Sequence, residues 1–266
     1  MTTPATYELF AVKYATHERG AHENFVFRDM HDAPMPLDFY VWVARSPERT
    51  FVIDTGFSEE TGRRRDRSIL RNPRDGLAAI GIDAGEVEHV IVSHMHYDHV
   101  GNFEIFPRAT FHLQDREMAY ATGRLMCHAR LRMPFDVESV TGMVRELYRG
   151  RVEFHDGFEQ LDSGLSVHLL GGHSHGLQIV RVFTARGWVV IASDAAHLYA
   201  HMETGNVFPI VLDVGEMLEG HRICRRLADS ARHIVPGHDP LVLERYPAPS
   251  RELEGIAARL DVMPAD

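Results

Sequence analysis

The hydrophobic pattern of the chain alternates between short apolar runs and longer amphipathic stretches. Strands are predicted where β-branched and aromatic residues cluster in short runs that end at turn-forming residues. The predicted strands span residues 7–14, 38–44, 50–53, 90–92, 109–113, 150–159, 166–170, 178–184, 188–193 and 233–236. Helices are predicted at 75–81, from 115 through most of 124–149, and at 213–227, where Asp213 is the expected N-cap. The segments 16–36 and 197–209 are predicted to be irregular.

One stretch concentrates side chains that can bind a metal. His94, His96, Asp98 and His99 directly follow the apolar run 90–92. His94 and His96 face the same way in an extended chain, whereas the adjacent Asp98 and His99 diverge, which suits a second ion beside the first. Imidazole and carboxylate groups bind zinc and also iron or manganese. The alternative is a polar loop with chance histidines, because the chain holds 18 histidines in 266 residues.

The spacing His94-x-His96-x-Asp98-His99 resembles the signature of the metallo-β-lactamase superfamily. Further ligands that this resemblance implies follow in family order: His173 in a glycine-flanked turn, Asp194 at a strand end and His238 near the C-terminus. The resemblance covers about residues 51–239. It implies an α/β fold with four layers, an αββα sandwich. We expect residues 1–266 to form a single domain of this fold, with a helical cap insertion at about 115–150.

The resemblance also implies a dinuclear metal centre. His94, His96 and His173 would hold one ion, Asp98, His99 and His238 the second, and Asp194 would bridge both. Zinc is the expected metal, with iron, manganese or cobalt as alternatives. A hydroxide held between the ions would attack a carbonyl, and Asp98 would also shuttle the proton. Asp54, in an Asp-Thr-Gly corner, is expected to contact a metal-bound histidine, unless it only shapes the turn.

Two positions narrow the reaction class. His96 stands where di-iron redox members carry glutamate, which favours hydrolysis, and Asp194 stands where many lactam-cleaving members carry cysteine. The ligand set resembles glyoxalase II and the N-acyl homoserine lactone lactonases of the quorum-quenching type. About 28 residues follow His238, fewer than the C-terminal helical domain of glyoxalase II. A lactone or related carboxylic ester is therefore the predicted substrate, and a thioester is the alternative.

Two departures from the lactonases leave the substrate open. Their substrate-binding tyrosine lies three residues after the bridging aspartate, where this chain has His197, with Tyr199 two residues further on. Both residues are therefore candidate catalytic hydrogen-bond donors, together with Asp98 as the proton shuttle. The lactonases also carry proline and histidine where His175 and Leu177 stand.

A pocket for an acyl chain is predicted from apolar residues in segments expected to reach the ligand edge, although ordinary packing is the alternative for each. The candidates are Phe25, Phe27, Met30, Met126, Met133, Met202 and Phe208.

Two other classes of function stay open at this point. One is a mononuclear iron oxygenase that resembles the persulfide dioxygenases, which share the motif with fewer ligands. The other is a non-catalytic metal-binding or sensor protein.

Composition and charge limit the partners. The net charge of −10 argues against nucleic acid, and no apolar run reaches the length of a membrane span. No signal peptide is evident, and Cys127 and Cys224 are expected to be free thiols, so we expect a cytoplasmic protein. The basic segment 63–67 is predicted to be a solvated helix face, with a functional role as the alternative. The expected partner is a small ester or lactone, and the expected assembly is a monomer or homodimer.

Overall fold

The computed structural model of the chain describes residues 3–27 and 33–265. Its strands, in chain order, are β1 (Glu8–His17), β2 (Leu37–Arg45), β3 (Thr50–Ile53), β4 (Ser68–Ile69), β5 (His89–Ile91), β6 (Thr110–Gln114), β7 (Val152–His155), β8 (Phe158–Asp162), β9 (Leu165–Leu169), β10 (Gln178–Thr184), β11 (Gly187–Ser193), β12 (Ile234–Pro236) and β13 (Ala257–Arg259).

The helices lie mainly between these strands. They are α1 (Glu59–Arg64), α2 (Pro73–Ala79), α3 (Tyr97–Val100), α4 (Asp115–Ala121), α5 (Ala129–Arg132), α6 (Val137–Tyr148), α7 (Tyr199–Thr204), α8 (Val214–Leu227) and α9 (Leu241–Arg245). Short 3₁₀ turns occupy Ala21–Glu23, Ala84–Glu86, Phe103–Ile105, Arg124–Cys127, Ala231–His233 and Arg251–Leu253. Within the described ranges, no helix has the length and apolar character needed to span a bilayer.

The strands form two mixed sheets. The larger sheet has the order β13-β1-β2-β3-β5-β6-β7, with β4 also paired to β1, and the smaller has the order β12-β11-β10-β9-β8. β3, β5, β6 and β7 run parallel to one another, as do β11 and β12. The other pairings are antiparallel.

The apolar pattern of β2 explains why this sheet is covered on both sides. Successive side chains of a strand point to opposite faces. Tyr40 and Trp42 pack into the core between the two sheets, whereas Phe39, Val41 and Val43 pack into the core beneath the outer helices. A third apolar cluster lies between the smaller sheet and α8. The predicted αββα sandwich is confirmed.

Several segments differ from the sequence prediction, and three of them show why. Residues 150–159 form two strands in different sheets rather than one, because the chain turns at Gly157, whose φ is +98°. The segment 197–209 is not wholly irregular, since it holds α7, which ends at Gly205 with φ +64°. β13 was not predicted, because its strand character comes from pairing with the distant β1.

The topology brings the ends of several strands to one edge of the sandwich. The predicted ligands follow β5 in the larger sheet and β9, β11 and β12 in the smaller one. The single-domain prediction for 1–266 and the cap role of 115–150 stay predictions; that segment contains α4, α5 and α6. Cys127 is exposed, Cys224 is buried, and both are free thiols as predicted.

Candidate metal centre

The seven predicted ligands meet in one buried place. Groups of metal-capable atoms lie within 4.8 Å of one another in two neighbouring clusters. The first consists of His94, His96, His173 and Asp194, and the second of Asp98, His99 and His238. Their side chains are buried although histidine and aspartate are usually exposed, so a specific partner must offset the loss of water.

The carboxylate of Asp194 lies between the two clusters. Its Oδ2 is 3.1 Å from His173 Nε2 and 3.7 Å from His94 Nε2. Its Oδ1 is 3.3 Å from His99 Nε2 and 3.0 Å from His238 Nε2. Each oxygen therefore faces a different group of imidazoles, which is the arrangement that a bridging ligand requires.

Asp98 belongs to the second cluster. Its Oδ2 lies 3.7 Å from His99 Nε2 and 3.9 Å from His238 Nε2. Asp98 also lines the cavity beside the centre, so its carboxylate is within reach of a bound molecule.

Hydrogen bonds outside the clusters fix the orientation of the histidine rings. Asp54 Oδ2 lies 2.7 Å from His99 Nδ1 and accepts a bond from Ser93 Oγ at 2.8 Å. Ser93 Oγ is also 3.1 Å from His94 Nδ1. His238 Nδ1 lies 2.9 Å from the carbonyl oxygen of Asp38. In each case the Nδ1 atom has a partner, which leaves Nε2 directed into the centre.

The free nitrogen atoms test whether the site fits metal ions. His94 Nε2 and His99 Nε2 are buried and have no hydrogen-bond partner among the described residues. An unpaired buried polar atom is costly, and a metal ion would remove this cost. The donor set of imidazoles and carboxylates is also one that zinc, iron or manganese accepts. The residues present therefore fit a dinuclear metal centre.

The electrostatics of the first cluster agree with metal binding, whereas in the second cluster Asp194 and Asp98 outweigh burial and raise the pKa of His99 and His238. Burial lowers the pKa of His94 and His96 well below the usual value, and positive neighbouring histidines add to this, so both imidazoles are neutral near pH 7. Burial alone would raise the pKa of Asp194, but His197, His238 and the other surrounding histidines outweigh it and lower that pKa. Neutral imidazole and ionised carboxylate are the forms that coordinate a metal.

The backbone is strained beside the ligands. Asp54 has φ +63° and Ser193, which precedes Asp194, has φ +44°. The left-handed region is unfavourable for residues other than glycine, so the surrounding hydrogen bonds must hold both positions. Ser193 Oγ donates to Ser93 Oγ at 3.0 Å, which joins the loops after β5 and β11.

A family model of the metallo-β-lactamase superfamily matches residues 37–244, more than half of the chain. The chain belongs to the metallo-β-lactamase superfamily. The match includes every residue of the two clusters, since they lie between positions 94 and 238.

Curated members of the superfamily give more distant likenesses. The chain is 28% identical over 172 residues to the N-acyl homoserine lactonase AttM of Rhizobium johnstonii, covering 62% of this chain and 63% of that protein. A probable metallo-hydrolase of Mycobacterium tuberculosis is 26% identical over 178 residues, covering 63% of this chain and 56% of that protein. The chain thus spans less than two thirds of the length of these relatives.

Solved structures support the fold. A quorum-quenching N-acyl homoserine lactone lactonase superposes with a TM-score of 0.74 at 18% identity, covering 90% of this chain and 95% of that chain. A probable metal-dependent hydrolase from Staphylococcus aureus has a TM-score of 0.74 at 15% identity and covers 97% of this chain and 94% of that chain.

The two candidate hydrogen-bond donors line different cavities. His197 lines the cavity at the centre, where its Nε2 is 3.0 Å from Asp194 Oδ2 and its ring stacks on Phe208 with the centroids 3.8 Å apart. Tyr199 begins α7 and lines another cavity, where Arg245 lies over its ring. The structure therefore brings His197 to the centre and directs Tyr199 away from it.

A cavity of about 240 Å³ opens beside the metal clusters. Its apolar wall consists of Leu37, Phe39, Met133, Pro134, Phe208 and Ile210. Met133 and Phe208 are the two predicted acyl-pocket residues that reach it. Nothing in the local sequence pattern of the other four separates them from ordinary core residues.

The remaining acyl-pocket candidates lie elsewhere. Met126 and Met202 line two other cavities, and Phe27 is exposed. Phe25 packs in the small apolar cluster that contains Phe208. Met30 lies outside the described residues.

The basic segment 63–67 does not lie wholly on a solvated helix face, so that prediction is wrong in part. α1 ends at Arg64, and Asp66 turns the chain with φ +56°. As a result Arg65 and Arg67 line the metal cavity, whereas Arg63 stays exposed.

A buried carboxylate that the sequence did not signal also shapes the site. Glu117 of α4 accepts hydrogen bonds from the Met95 and Gly176 N–H groups, both at 2.8 Å, and from Ser174 Oγ at 2.7 Å. It therefore ties the loop of His94 and His96 to the turn of His173. In the sequence, Glu117 looks like any charged residue in the first turn of a helix.

Proposed function

We propose that this chain is a metal-dependent hydrolase with two divalent ions, which opens a lactone or a related carboxylic ester. The observation that carries the proposal is the position of the Asp194 carboxylate, with one oxygen facing each cluster of imidazoles. A mononuclear oxygenase would not need the second cluster of Asp98, His99 and His238.

The proposed ligands are the seven that the sequence predicted. His94, His96 and His173 would hold one ion, Asp98, His99 and His238 the other, and Asp194 both. When bound, two such ions polarise a carbonyl and lower the pKa of water toward neutrality. Zinc is our expectation from the donor set.

The residues of the chain itself would position the substrate and move protons. Asp98 lines the cavity, so its carboxylate can accept a proton and return it to the leaving oxygen. His197 directs Nε2 into the centre, where it can donate to the substrate carbonyl oxygen in place of Asp194. The apolar wall around Phe39, Phe208 and Ile210 would exclude water from the acyl side.

The lactone is the preferred ester because of the relatives. The AttM proteins are named N-acyl homoserine lactonases, although they are only 28% identical over part of their length. The described residues enclose about 240 Å³, less than the pocket of a typical drug-sized ligand. We therefore expect short acyl chains to be preferred over long ones.

Metal analysis combined with a hydrolysis panel tests the proposal. The panel would compare simple lactones, N-acyl homoserine lactones of increasing chain length, aryl esters and a glutathione thioester. We expect two ions per chain and the fastest turnover on a short-chain lactone. Faster thioester cleavage would transfer the assignment to glyoxalase II-like chemistry. One iron per chain with oxygen consumption would contradict the proposal.

A variant of the proposed bridging ligand tests the metal assignment directly. Asp194→Ala removes the carboxylate that faces both clusters, so it should lose turnover together with most of the affinity for one ion. Near-normal turnover with two bound ions would contradict the assignment of Asp194.

A further inference from the structure

One wall of the metal cavity is cationic. Arg19, Arg65 and Arg67 line it together with His17, next to residues of the apolar wall. This concentration is unexpected in a chain whose net charge is −10. The carboxylates that share the cavity, Asp98 and Asp194, belong to the proposed metal ligands. They would therefore be occupied by metal ions rather than by the guanidinium groups.

Neutral partners hold the three guanidinium groups in place. Arg65 donates to the carbonyl oxygens of Met133 and Phe135 at 3.0 and 2.9 Å and lies over the ring of Tyr97. Arg67 Nε donates to the Tyr97 hydroxyl at 3.1 Å.

Arg19 is held in a similar way. It donates to the carbonyl oxygen of Glu23 at 2.7 Å, and its guanidinium carbon lies 5.0 Å from the centroid of the Phe208 ring. The Glu23 carboxylate instead accepts a bond from the N–H of Gly20.

Ion pairs are absent from this group within the described part of the chain. Neighbouring arginines do form them: Arg63 pairs with Glu59, and Arg64 pairs with Asp136. No described carboxylate lies within 4.0 Å of the guanidinium nitrogens of Arg19, Arg65 or Arg67. The positive charge at the cavity wall is thus oriented, and no carboxylate of residues 3–27 or 33–265 forms an ion pair with it.

Two of these guanidinium groups also keep a free donor. The Nε atoms of Arg19 and Arg65 are buried and have no hydrogen-bond partner among the described residues. Leaving a charged donor unpaired is costly, so the described residues do not use the full hydrogen-bonding capacity of these two groups. The planar fork of a guanidinium group matches the two oxygens of a carboxylate.

His17 positions Arg67 without adding charge. Burial, together with Arg67 and Arg19, lowers the pKa of His17 to about 4, so its ring is neutral near pH 7. Its Nε2 lies 3.1 Å from Arg67 Nη1 and can accept a hydrogen bond from it.

We propose that the substrate of the metal centre carries a carboxylate away from the bond that is cleaved, and that Arg19, Arg65 and Arg67 bind this carboxylate. The inference rests on the proposed hydrolase function, because it places the reacting carbonyl at the metal clusters. The natural substrate would then be an anionic ester or lactone rather than a neutral acyl lactone.

Binding of two simple acids to the metal-loaded protein tests this inference without any turnover. Hexanoate offers one carboxylate, which the metals can take, and adipate has the same carbon chain with a second carboxylate at the far end. Calorimetry on the wild type should show adipate binding about 10- to 100-fold more tightly than hexanoate, since a charge-assisted hydrogen bond has this effect. Added salt should reduce the difference.

Charge variants locate the effect. Arg67→Gln and Arg19→Gln should each lower the adipate-to-hexanoate ratio by about tenfold, whereas Arg67→Lys, which keeps the charge, should retain part of it. Arg19 makes a single main-chain hydrogen bond here, so its removal disturbs the fold least. Arg63→Gln, from the same basic segment but exposed, is the control and should leave the ratio unchanged.

The outcomes separate this inference from the proposed function. Equal binding of the two acids by the wild type, or a ratio that survives both Gln variants, would overturn the carboxylate site even if the panel shows ester hydrolysis. A ratio that depends on Arg19 and Arg67 would support the carboxylate site even if no ester in the panel is cleaved.

Discussion

Asp54 combines an unfavourable backbone conformation with a central role in the hydrogen bonds of the site. Its φ is +63°, and its carboxylate accepts from the Ser93 N–H at 2.7 Å and from Ser93 Oγ at 2.8 Å. The same carboxylate lies 2.7 Å from His99 Nδ1, so the predicted contact with a ligand histidine is confirmed. A strained residue with buried, specific partners is typical of a functional site.

Asp54→Asn should weaken metal binding more than folding. Asparagine tolerates the left-handed region and keeps the shape of the side chain, but it removes the charge that faces His99. We expect affinity for one ion to fall about 10- to 100-fold, the usual effect of losing such a partner. Competition with a chromophoric chelator measures this. Asp66→Asn is the control, because Asp66 also has positive φ but is exposed. Equal affinity in the two variants would contradict the role of Asp54.

His197 should act as a hydrogen-bond donor to the substrate. Its position between Asp194 and Phe208 is close to the reacting carbonyl of the proposal. Removing such a donor typically costs about 10²–10³ in turnover, so His197→Ala should lose roughly this much kcat on a good lactone. Tyr199→Phe should stay close to wild type, since Tyr199 lines another cavity.

His197→Tyr tests whether the lactonase arrangement can be restored. A hydroxyl at this position should recover part of the turnover that His197→Ala loses. Full turnover in His197→Ala, or a defect confined to Tyr199→Phe, would show that His197 is not the donor.

At the scale of the elements, three neighbouring parallel strands each contribute one histidine to a hydrogen-bonded row that is separate from the metal centre. His89 of β5, His112 of β6 and His155 of β7 are linked by contacts of 3.2 and 3.1 Å between ring nitrogens. Burial, with His155 and His89 adding to it, lowers the pKa of His112 to about 3. The His112 ring is therefore neutral in the folded protein near pH 7.

The His112 row should make the protein sensitive to acid. An unfolded histidine takes up a proton near pH 6.5, whereas folded His112 does so only near pH 3. Between these values the unfolded state binds more protons, so stability falls as the pH falls. Between pH 7 and 5 the wild type should lose roughly 1–2 kcal/mol more unfolding free energy than His112→Gln in urea titrations. His128→Gln, at an exposed histidine, serves as the control. If the unfolding free energy changes equally with pH in all three proteins, His112 is not the source of the acid sensitivity.

Short elements were harder to predict than the long apolar strands. β2 and β11 are apolar on both faces, so their sequences indicate buried strands without further information. Most residues of β7 and β8 are exposed or half-buried, so no apolar pattern marks where one strand ends and the other begins. The turn that sends them to different sheets could therefore not be recognised in the sequence. α7 turns Tyr199 away from the centre, which a reading based on spacing from Asp194 could not detect.

For the whole molecule, the metal centre would join the two sheets. His94, His96, Asp98 and His99 follow β5 of the larger sheet, whereas His173, Asp194 and His238 follow strands of the smaller sheet. A metal ion that binds only the folded state stabilises it in proportion to the logarithm of its concentration over Kd. Loss of the ions should therefore lower the stability of the entire sandwich.

Chelation should lower the melting temperature of the metal-loaded protein. At metal concentrations far above Kd the expected decrease is on the order of 10 °C for a chain of this size. Differential scanning calorimetry with and without a strong chelator measures it. Asp194→Ala, which lacks the bridging carboxylate, should show a smaller decrease. An unchanged melting temperature in the wild type would contradict a structural contribution of the ions.

The clustering of the seven candidate ligands could be predicted because they are local and ordered: four lie within six residues, and the others follow apolar strands. The cationic wall could not be predicted, because it depends on tertiary contacts. Arg19 reaches the cavity from the segment after β1. Arg65 reaches it because α1 ends at Arg64, the residue before it. Sequence patterns describe which face of an element is apolar, but not where a long polar side chain ends.

The order of the candidate ligands along the chain also determines when each becomes available during synthesis. A ribosome produces residues 94–99 early, but Asp194 and His238 only after most of the larger sheet has been made. β12, which carries His238 into place, pairs in parallel with β11, and β13 then closes against β1, which lies far earlier in the chain. On the proposed ligand assignment, a nascent chain would complete the site of the first ion when Asp194 has emerged, but the site of the second ion only when His238 has followed.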